Sequence, residues 1–485
     1  MNKTRVPKAS PEPLPELATF LEPFAPLFRR HTSRDSMERY LTGLLSDLPH
    51  KTCETIADVI AGTSLERLQH LLTDAAWEPL ELDEARVKRL LELHPVTEGI
   101  LVFDDTGLPK KGSASVGVAP QYSGTLGKIG SCQIVVSAEY LADDLSSSTP
   151  FHFPISAQLF LPEAWTQDAE RRKQAQVPEE ISQHTKPEIA LGLLDRARLW
   201  GVPIQAIVVD AGYGDNPNFL RGLDERQVPY VCAVESTFGC RFPDEVQATA
   251  SQTPVYGGRG QPRKPRPAPL YTVKELIAAL PASAWQTISW REGTKGTMQT
   301  QAVAVRVHWA TGSSLHSTSH SRVHTGPEGW LLAERQVPKT AEANNPQPTQ
   351  DVPQETEEEK IKYWFSVLPE DVSLQRLVLL AHARWVVEQF YEDAKQECGL
   401  DHYQGRSWQG LHRHLALVML AYSFLMLQRL TLPLPSGEAF PPLRHAKLAA
   451  WRPSAGVALA LPGSHPLAAL LPAVRFLLSQ TKLTE

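Results

Sequence analysis

Gly99-Ile-Leu-Val-Phe-Asp-Asp-Thr106 is a short apolar run that ends in two aspartates. Its β-branched and aromatic residues predict a buried strand from Gly99 to Asp105. A second run of this kind, Ile204-Gln-Ala-Ile-Val-Val-Asp210, also ends in aspartate. A carboxylate at the end of a buried strand is costly unless it is paired, hydrated or bound to metal. Either aspartate alone is typical of a turn or a helix cap, whereas the two together predict a shared site.

A third carboxylate lies in the stretch 383–395, Ala-Arg-Trp-Val-Val-Glu-Gln-Phe-Tyr-Glu-Asp-Ala-Lys. This stretch predicts one amphipathic helix that brings Arg384, Glu388 and Lys395 near one face. The predicted buried side carries Val387, Phe390 and Ala394. An ordinary row of helix ion pairs is one interpretation. The other is a metal-binding glutamate flanked by cations, which would complete a two-metal site with the two aspartates.

Composition places limits on the whole chain. Its 485 residues carry a formal net charge of −6, so any surface for nucleic acid must be local. One such basic stretch, 251–300, contains Arg291 and Lys295. The five cysteines form no Cys-x-x-Cys pair, and no secretory signal is visible, which favours reduced thiols in the cytoplasm. The apolar run 415–427 is too short to span a bilayer and predicts a core helix.

The chain divides into six predicted segments. Proline-rich residues 1–15 predict a disordered tail. Residues 16–93 predict an all-helical domain in which Ser33 and Ser64 cap helices. The remaining segments are 97–215 (a core of strands and one helix), 216–361 (a β-rich region with a flexible loop at 336–360), 362–430 (the return to the core) and 431–485 (a helical, proline-rich tail).

Several sequence blocks together resemble one known family. They are Phe103-Asp-Asp-Thr-Gly-Leu-Pro-Lys-Lys-Gly112, the segment 117–133, Leu161-Pro-Glu-Ala-Trp165, Thr185-Lys-Pro-Glu188, Val209-Asp-Ala-Gly-Tyr-Gly214 and the segment 399–408. Their order resembles that of DDE transposases of the IS4 superfamily, most closely the IS701 group. The family's helix signature is Tyr, Arg, Glu and Lys at fixed spacing. Arg384, Glu388 and Lys395 match it, whereas Ala381 stands at the tyrosine position.

The resemblance implies a fold and a catalytic site. The fold would be α/β, with an RNase H-like mixed sheet flanked by helices, a β-rich insertion domain and a helical DNA-binding domain. Asp105, Asp210 and Glu388 would be catalytic and would hold two Mg²⁺ or Mn²⁺ ions. Adjacent strand residues point to opposite faces, so only one of Asp104 and Asp105 can bind metal directly. The family's aspartate precedes threonine, which favours Asp105 and leaves Asp104 in a supporting role.

The resemblance also implies contacts with DNA. The candidate residues are Arg384, Lys395, Lys111, Lys128, Arg291, Lys295 and Trp364, the last of which would stack on a flipped base. Lys110 stays open between a phosphate contact and a solvated surface charge.

The implied activity is cut-and-paste transposition of a bacterial insertion sequence. A homodimer in a synaptic complex would bind double-stranded DNA, both terminal inverted repeats and target, at the nucleoid and without a membrane. Two alternatives remain: an inactive relative that only binds DNA, and a metal-dependent nuclease without strand transfer. Fold alone does not separate these activities.

Overall fold

The structure is a computed structural model that describes residues 15–124, 127–143, 150–251, 258, 267–293, 296–312, 323–337 and 360–431. The chain forms two compact units. The first holds the chain up to Ile204 and again from Trp385, and the second spans Gln205–Arg384. The sequence-based domain boundaries divide the chain differently and stay predictions. The predicted tails 1–15 and 431–485 and the loop 336–360 lie almost entirely outside the described residues.

The first unit begins with helices only. They are α1 (Pro15–Leu21), a 3₁₀ turn (Glu22–Leu27), α2 (His31–Leu45), α3 (Cys53–Val59), α4 (Leu65–Thr73) and α5 (Pro79–Leu93). Ser64 caps α4, since its side chain accepts a hydrogen bond from the Arg67 backbone N–H at 3.4 Å. The prediction that Ser33 is a cap is wrong, because α2 starts two residues earlier and Ser33 lies within it.

Four strands follow in the first unit, and the described pairings among these four are antiparallel. They are β1 (Gly99–Pro109), β2 (Ala119–Ser123), β3 (Lys128–Ala142) and β4 (His152–Phe160). β3 pairs with each of the other three. The helices of this part are α6 (Glu163–Thr166), α7 (Ala169–Gln174), α8 (Lys186–Leu199), α14 (Trp385–Cys398) and α15 (Trp408–Thr431).

Helix α15 is the core helix predicted from the apolar run 415–427. Its length and hydropathy would allow it to cross a membrane, but 89% of its most apolar window is buried inside the protein. It packs against β4 and against the N-terminal helices α5, α2 and α4. The apolar side chains of α15 are therefore buried as part of the hydrophobic core of this unit.

The second unit contains a mixed sheet. Its elements are β5 (Ala206–Val209), α9 (Ala211–Gly214), α10 (Pro217–Glu225), β6 (Tyr230–Val234), β7 (Gly239–Arg241), α11 (Pro243–Ser251), β8 (Tyr271–Thr272), α12 (Val273–Ala278), a 3₁₀ turn (Ala282–Ala284), β9 (Gln286–Gly293), β10 (Gly296–Thr311), β11 (His324–Arg335), β12 (Lys362–Ser366) and α13 (Leu374–Ala381). β5 and β6 pair in parallel, and the other described pairings in this unit are antiparallel. The predicted α/β class is confirmed.

Candidate active site

Asp104 and Asp105 lie in the middle of β1, on opposite faces of the sheet. In the antiparallel register Asp104 is opposite Ser137 and Asp105 is opposite Val136 on β3. Residues directly opposite each other share a face, and adjacent residues along a strand alternate between faces. A helix packed on one face of the sheet can therefore meet only the aspartate that projects from that face.

Helix α14 lies on the Asp104 face. The Tyr391 hydroxyl accepts a hydrogen bond from Ser137 Oγ at 2.6 Å and donates one to the Asp104 carbonyl at 2.9 Å. Lys395 Nζ donates to Thr106 Oγ1 at 2.7 Å. Ser137 and Thr106 both share the face of Asp104 in this register. The helix that carries Glu388 is thus fastened to β1 along this face.

Helix α8 lies on the Asp105 face. Lys186, the first residue of α8, forms an ion pair with Asp105, with Nζ 2.9 Å from Oδ1. Arg196, near the end of α8, donates to Ser156 Oγ at 3.1 Å. Ser156 is opposite Ala138 of β3, which is opposite Phe103 of β1, so Ser156 lies on the same face as Asp105. The sequence-based preference for Asp105 as the metal ligand stays a prediction, and the structure adds which helix each aspartate meets. Asp105 meets α8, and Asp104 shares its face with α14.

Glu388 occupies the first turn of α14 and is exposed to solvent. It stands three residues before Tyr391 and seven before Lys395, so these three side chains form one stripe along the helix. On the other side Val387, Phe390 and Ala394 are buried, as predicted. The predicted start of the helix is wrong. α14 begins at Trp385, and Arg384 lies in the preceding turn, so Arg384 and Glu388 are not an i, i+4 helical pair.

Asp210 belongs to the second unit, directly after the buried strand β5. It caps the short helix α9, because its Oδ1 accepts a hydrogen bond from the Tyr213 backbone N–H at 3.3 Å. Asp215 and Glu235 are nearby acidic residues that the sequence did not single out. Burial raises the pKa of Asp215, and repulsion from Glu235 and Asp210 adds to this effect. The expectation of an acidic site at the end of this strand is consistent with that grouping.

The predicted DNA contacts occupy different environments. Lys111 and Lys128 are exposed, whereas Arg291 is half-buried, and burial lowers its pKa. Lys395 is tied to Thr106, and burial lowers its pKa as well. Trp364 is only 6% exposed, within β12. Lys295 lies outside the described residues.

The sequence assigned no role to Tyr391 or Lys186, and it left the role of Lys110 open. Tyr391 was part of the quoted helix, but nothing in its spacing showed that its hydroxyl meets β1. Lys186 lies between Thr185 and Glu188, which form a capping box at the start of α8. That capping box was a readable signal for where α8 begins. Lys110 turns inward, and Nζ donates to the Tyr403 carbonyl at 2.6 Å.

The donors near β1 and α14 suit a hard divalent cation, because carboxylate oxygens are the ligands that Mg²⁺ prefers. Across the described residues, no three His, Cys, Asp or Glu side chains gather closely enough to hold a metal ion. Among the described residues of the first unit, Asp104 and Glu139 share the face of the sheet that α14 covers, and α14 itself carries Glu388. The side chains are thus of the kind that binds Mg²⁺, and they form part of a complete set of metal ligands.

A strand aspartate on the face covered by a helix with glutamate and lysine is a donor set compatible with a hard divalent cation. Residues 23–297 match the family described as DDE superfamily endonuclease, and residues 182–424 match the transposase DDE domain. The chain therefore belongs to the DDE transposases, in their IS4-like group. It is similar to a probable transposase for insertion sequence element IS701 from Microchaete diplosiphon, with 29% identity over 200 residues. That alignment covers 41% of this chain, which spans about half (48%) of the relative's length.

Proposed function

We propose that this chain is a cut-and-paste transposase of an insertion sequence. It would hydrolyse phosphodiester bonds at terminal inverted repeats and join the freed ends to target DNA. The observation that carries the proposal is the attachment of α14 to β1 on the Asp104 face, through Tyr391 and Lys395. Membership of the DDE family supplies the reaction class.

We propose that Asp210 and Glu388 hold the metal ions together with Asp104, which shares its face of the sheet with α14. Asp105, which the sequence motif favours, is the alternative third ligand. Three carboxylates would hold two Mg²⁺ or Mn²⁺ ions, in keeping with the divalent-metal dependence that the family implies. When bound, such a pair stabilises the attacking and leaving oxygens of an in-line displacement at phosphorus. Asp105 is the charge partner of Lys186, which holds α8 against the other face of β1.

The remaining residues of the site would position protein and DNA. Lys395 fixes α14 to Thr106, so its proposed phosphate contact would be made from a half-buried side chain. Arg384, Lys111, Lys128, Arg291 and Lys295 would bind backbone phosphates, which position DNA without reading its sequence. A role for Trp364 in stacking on a base is less well supported than a core role, because so little of the side chain is exposed.

The finer architecture also belongs to the proposal. We expect an RNase H-like core, a β-rich insertion domain and an N-terminal helical domain that binds the inverted repeats. We expect a homodimer in the synaptic complex and a soluble protein that works at the nucleoid. The mixed sheet, the four-strand antiparallel set and the helices at 15–93 are compatible with this arrangement.

Cleavage of a labelled duplex that carries the element's end tests the assignment. Wild type would be compared with Asp104→Asn, Asp105→Asn and Glu388→Gln in Mg²⁺, and again with EDTA. DNA binding would be measured in parallel, so that lost binding is not mistaken for lost chemistry. We expect Asp104→Asn and Glu388→Gln to lose at least about a hundredfold in rate, since removing even an outer-shell partner costs 10–100-fold. Asp105→Asn should retain most of the activity.

Other outcomes separate the alternatives. A cleavage rate abolished by Asp105→Asn but spared by Asp104→Asn would reverse the assignment. Binding of the element's end without any cutting by wild type would point to an inactive DNA-binding relative. Cutting that ignores the sequence of the end would point to a nuclease without strand transfer.

A further inference from the structure

The hairpin formed by β2 and β3 carries an exposed apolar pair near its tip. Tyr122 lies directly opposite Ile129 in the antiparallel register, so both side chains project from one face. Tyr122 is 65% exposed and Ile129 is 69% exposed. The next pair on that face, Pro120 with Ser131, is exposed too. A large aromatic and a β-branched side chain held side by side in water form a small contact surface.

The opposite face of the hairpin is fixed to the first unit. Ser123 is 1% exposed and lies over Gly107 of β1, where a Cβ would come within 2.1 Å of the Ser123 hydroxyl. Gln121 Nε2 donates to the Cys132 carbonyl at 3.0 Å. The hairpin is therefore packed against β1 by Ser123, next to its turn, and the Gln121 hydrogen bond joins its two strands. The exposed pair is presented on an ordered strand ladder.

The stretch of sequence that contains the hairpin carries charges of one sign. From Thr106 to Ala138 the sequence contains three lysines (Lys110, Lys111 and Lys128) and no aspartate, glutamate or arginine. The whole chain has a net charge of −6, so this acid-free stretch stands apart from the rest. Lys111 and Lys128 are exposed. A cationic surface with an apolar centre complements a polyanion that also offers apolar contact, and DNA has both properties.

We propose that the β2–β3 hairpin is a contact for duplex DNA, with Tyr122 and Ile129 packed in a groove and Lys128 and Lys111 on the flanking phosphates. This rests on the proposed function, because it takes DNA as the substrate. Ser123, next to Tyr122, lies over Gly107, which is three residues along β1 from Asp104. The proposed contact is therefore in the same part of the first unit as Asp104.

Fluorescence anisotropy with the full-length chain and a labelled duplex of the element's end tests the contact. The double variant Tyr122→Ser with Ile129→Ser should raise Kd at least about fivefold. The matched control is Leu199→Ser on α8, which removes an apolar side chain that is 84% exposed and should leave Kd unchanged. Urea unfolding of each variant would show that the fold is retained.

A substitution of Lys128 gives a second, independent test, through the salt dependence of DNA binding. Lys128→Gln should reduce the slope of log K against log salt by about 1, as the loss of one phosphate contact predicts. Lys173→Gln, an exposed lysine on α7, is the control and should leave the slope unchanged. Hydroxyl-radical footprinting should show a protected stretch of the duplex in wild type that is lost in the double variant.

The failures of the two proposals are distinguishable. If wild type binds and cuts the element's end while the double variant binds equally well, the hairpin contact is overturned and the transposase proposal stands. If the double variant keeps its affinity but changes the oligomeric state in gel filtration, the face contacts a second copy and the DNA contact is again overturned. If wild type neither binds nor cuts DNA, both proposals fail.

Discussion

Two adjacent lysines, Lys110 and Lys111, have opposite environments. The Lys110 ammonium donates to the backbone carbonyls of Tyr403 at 2.6 Å and Asp401 at 3.3 Å. Burial lowers the pKa of Lys110 to about 8, although the Asp401 carboxylate opposes the shift. Lys111 is exposed to solvent. The sequence left Lys110 open between a DNA contact and a surface charge, and the structure supports neither, because Lys110 joins β1 to the segment 399–408.

This contrast leads to a paired test at the residue scale. Lys110→Met should lower the free energy of unfolding by about 1–3 kcal/mol, because the two carbonyls lose a charged donor inside the protein. Lys111→Met should change stability by less than about 0.5 kcal/mol, while weakening DNA binding and lowering its salt slope by about 1. Urea unfolding and anisotropy titration measure the two effects. The opposite pattern would contradict these roles.

At the scale of elements, the fit between α14 and β1 depends on one hydroxyl. Tyr391 is buried, and burial raises the pKa of its phenol well above the ordinary value, with repulsion from Asp104 contributing. Its hydroxyl joins Ser137 on β3 and the Asp104 carbonyl on β1. One side chain thus sets the position of the helix over two strands.

Tyr391→Phe should therefore cost about 1–3 kcal/mol of stability, because a buried hydroxyl and a buried carbonyl lose their partner. Tyr422→Phe on α15 is the matched control. The Tyr422 hydroxyl is buried and has no hydrogen-bond partner among the described residues, so its removal should be neutral or slightly stabilising. Thermal unfolding of both variants gives the comparison. Equal losses of stability would show that the hydroxyl of Tyr391 contributes nothing specific.

The elements differ in how far the sequence could predict them. The start of β1 at Gly99 was predicted correctly, but the predicted end at Asp105 is four residues short of Pro109, because the apolar run stops before the strand does. β2 was missed, because Ala119–Ser123 has no such run and is held in place by Gln121 and Ser123. The start of α14 was placed two residues too early, since a periodic pattern does not mark the turn at 382–384.

The choice between Asp104 and Asp105 shows why part of the site escaped prediction. Strand alternation requires that only one of them face α14, but the sequence does not state which face α14 covers. The answer depends on Tyr391 and Lys395 meeting β1, and on Lys186 meeting Asp105 from the other side. These are contacts between residues 81 to 289 positions apart in the chain. A one-residue shift in the motif match is enough to exchange one carboxylate for the other.

At the scale of the whole molecule, α15 brings two neutral histidines into the core of the first unit. Burial lowers the pKa of His412 to about 4 and of His414 to about 3. Tyr40 of α2 donates its hydroxyl hydrogen bond to His414 Nδ1 at 2.8 Å, and His414 Nε2 donates to the Gly399 carbonyl at 3.1 Å. The neutral imidazole is therefore fully used in joining the N-terminal helices to α15.

Those two histidines predict how stability depends on pH. In the unfolded chain each would bind a proton below about pH 6.5, whereas the folded protein does not protonate them until about pH 4 and about pH 3. The unfolded state then binds more protons, so stability falls as pH drops below about 6.5, by up to about 1.4 kcal/mol per pH unit for each group. Their contribution is constant at higher pH.

Measuring the free energy of unfolding between pH 4.5 and pH 7.5 (about the range in which free histidine titrates) tests this. Below about pH 6.5, His412→Gln should reduce the slope of the unfolding free energy against pH by up to about 1.4 kcal/mol per pH unit, the contribution of one proton. This holds even if the variant is also less stable at neutral pH. His184→Gln is the control, since His184 is exposed and should leave the slope unchanged. An unchanged slope in His412→Gln would mean that His412 is already charged in the folded protein, and burial in the α15 core would then not be what governs its titration.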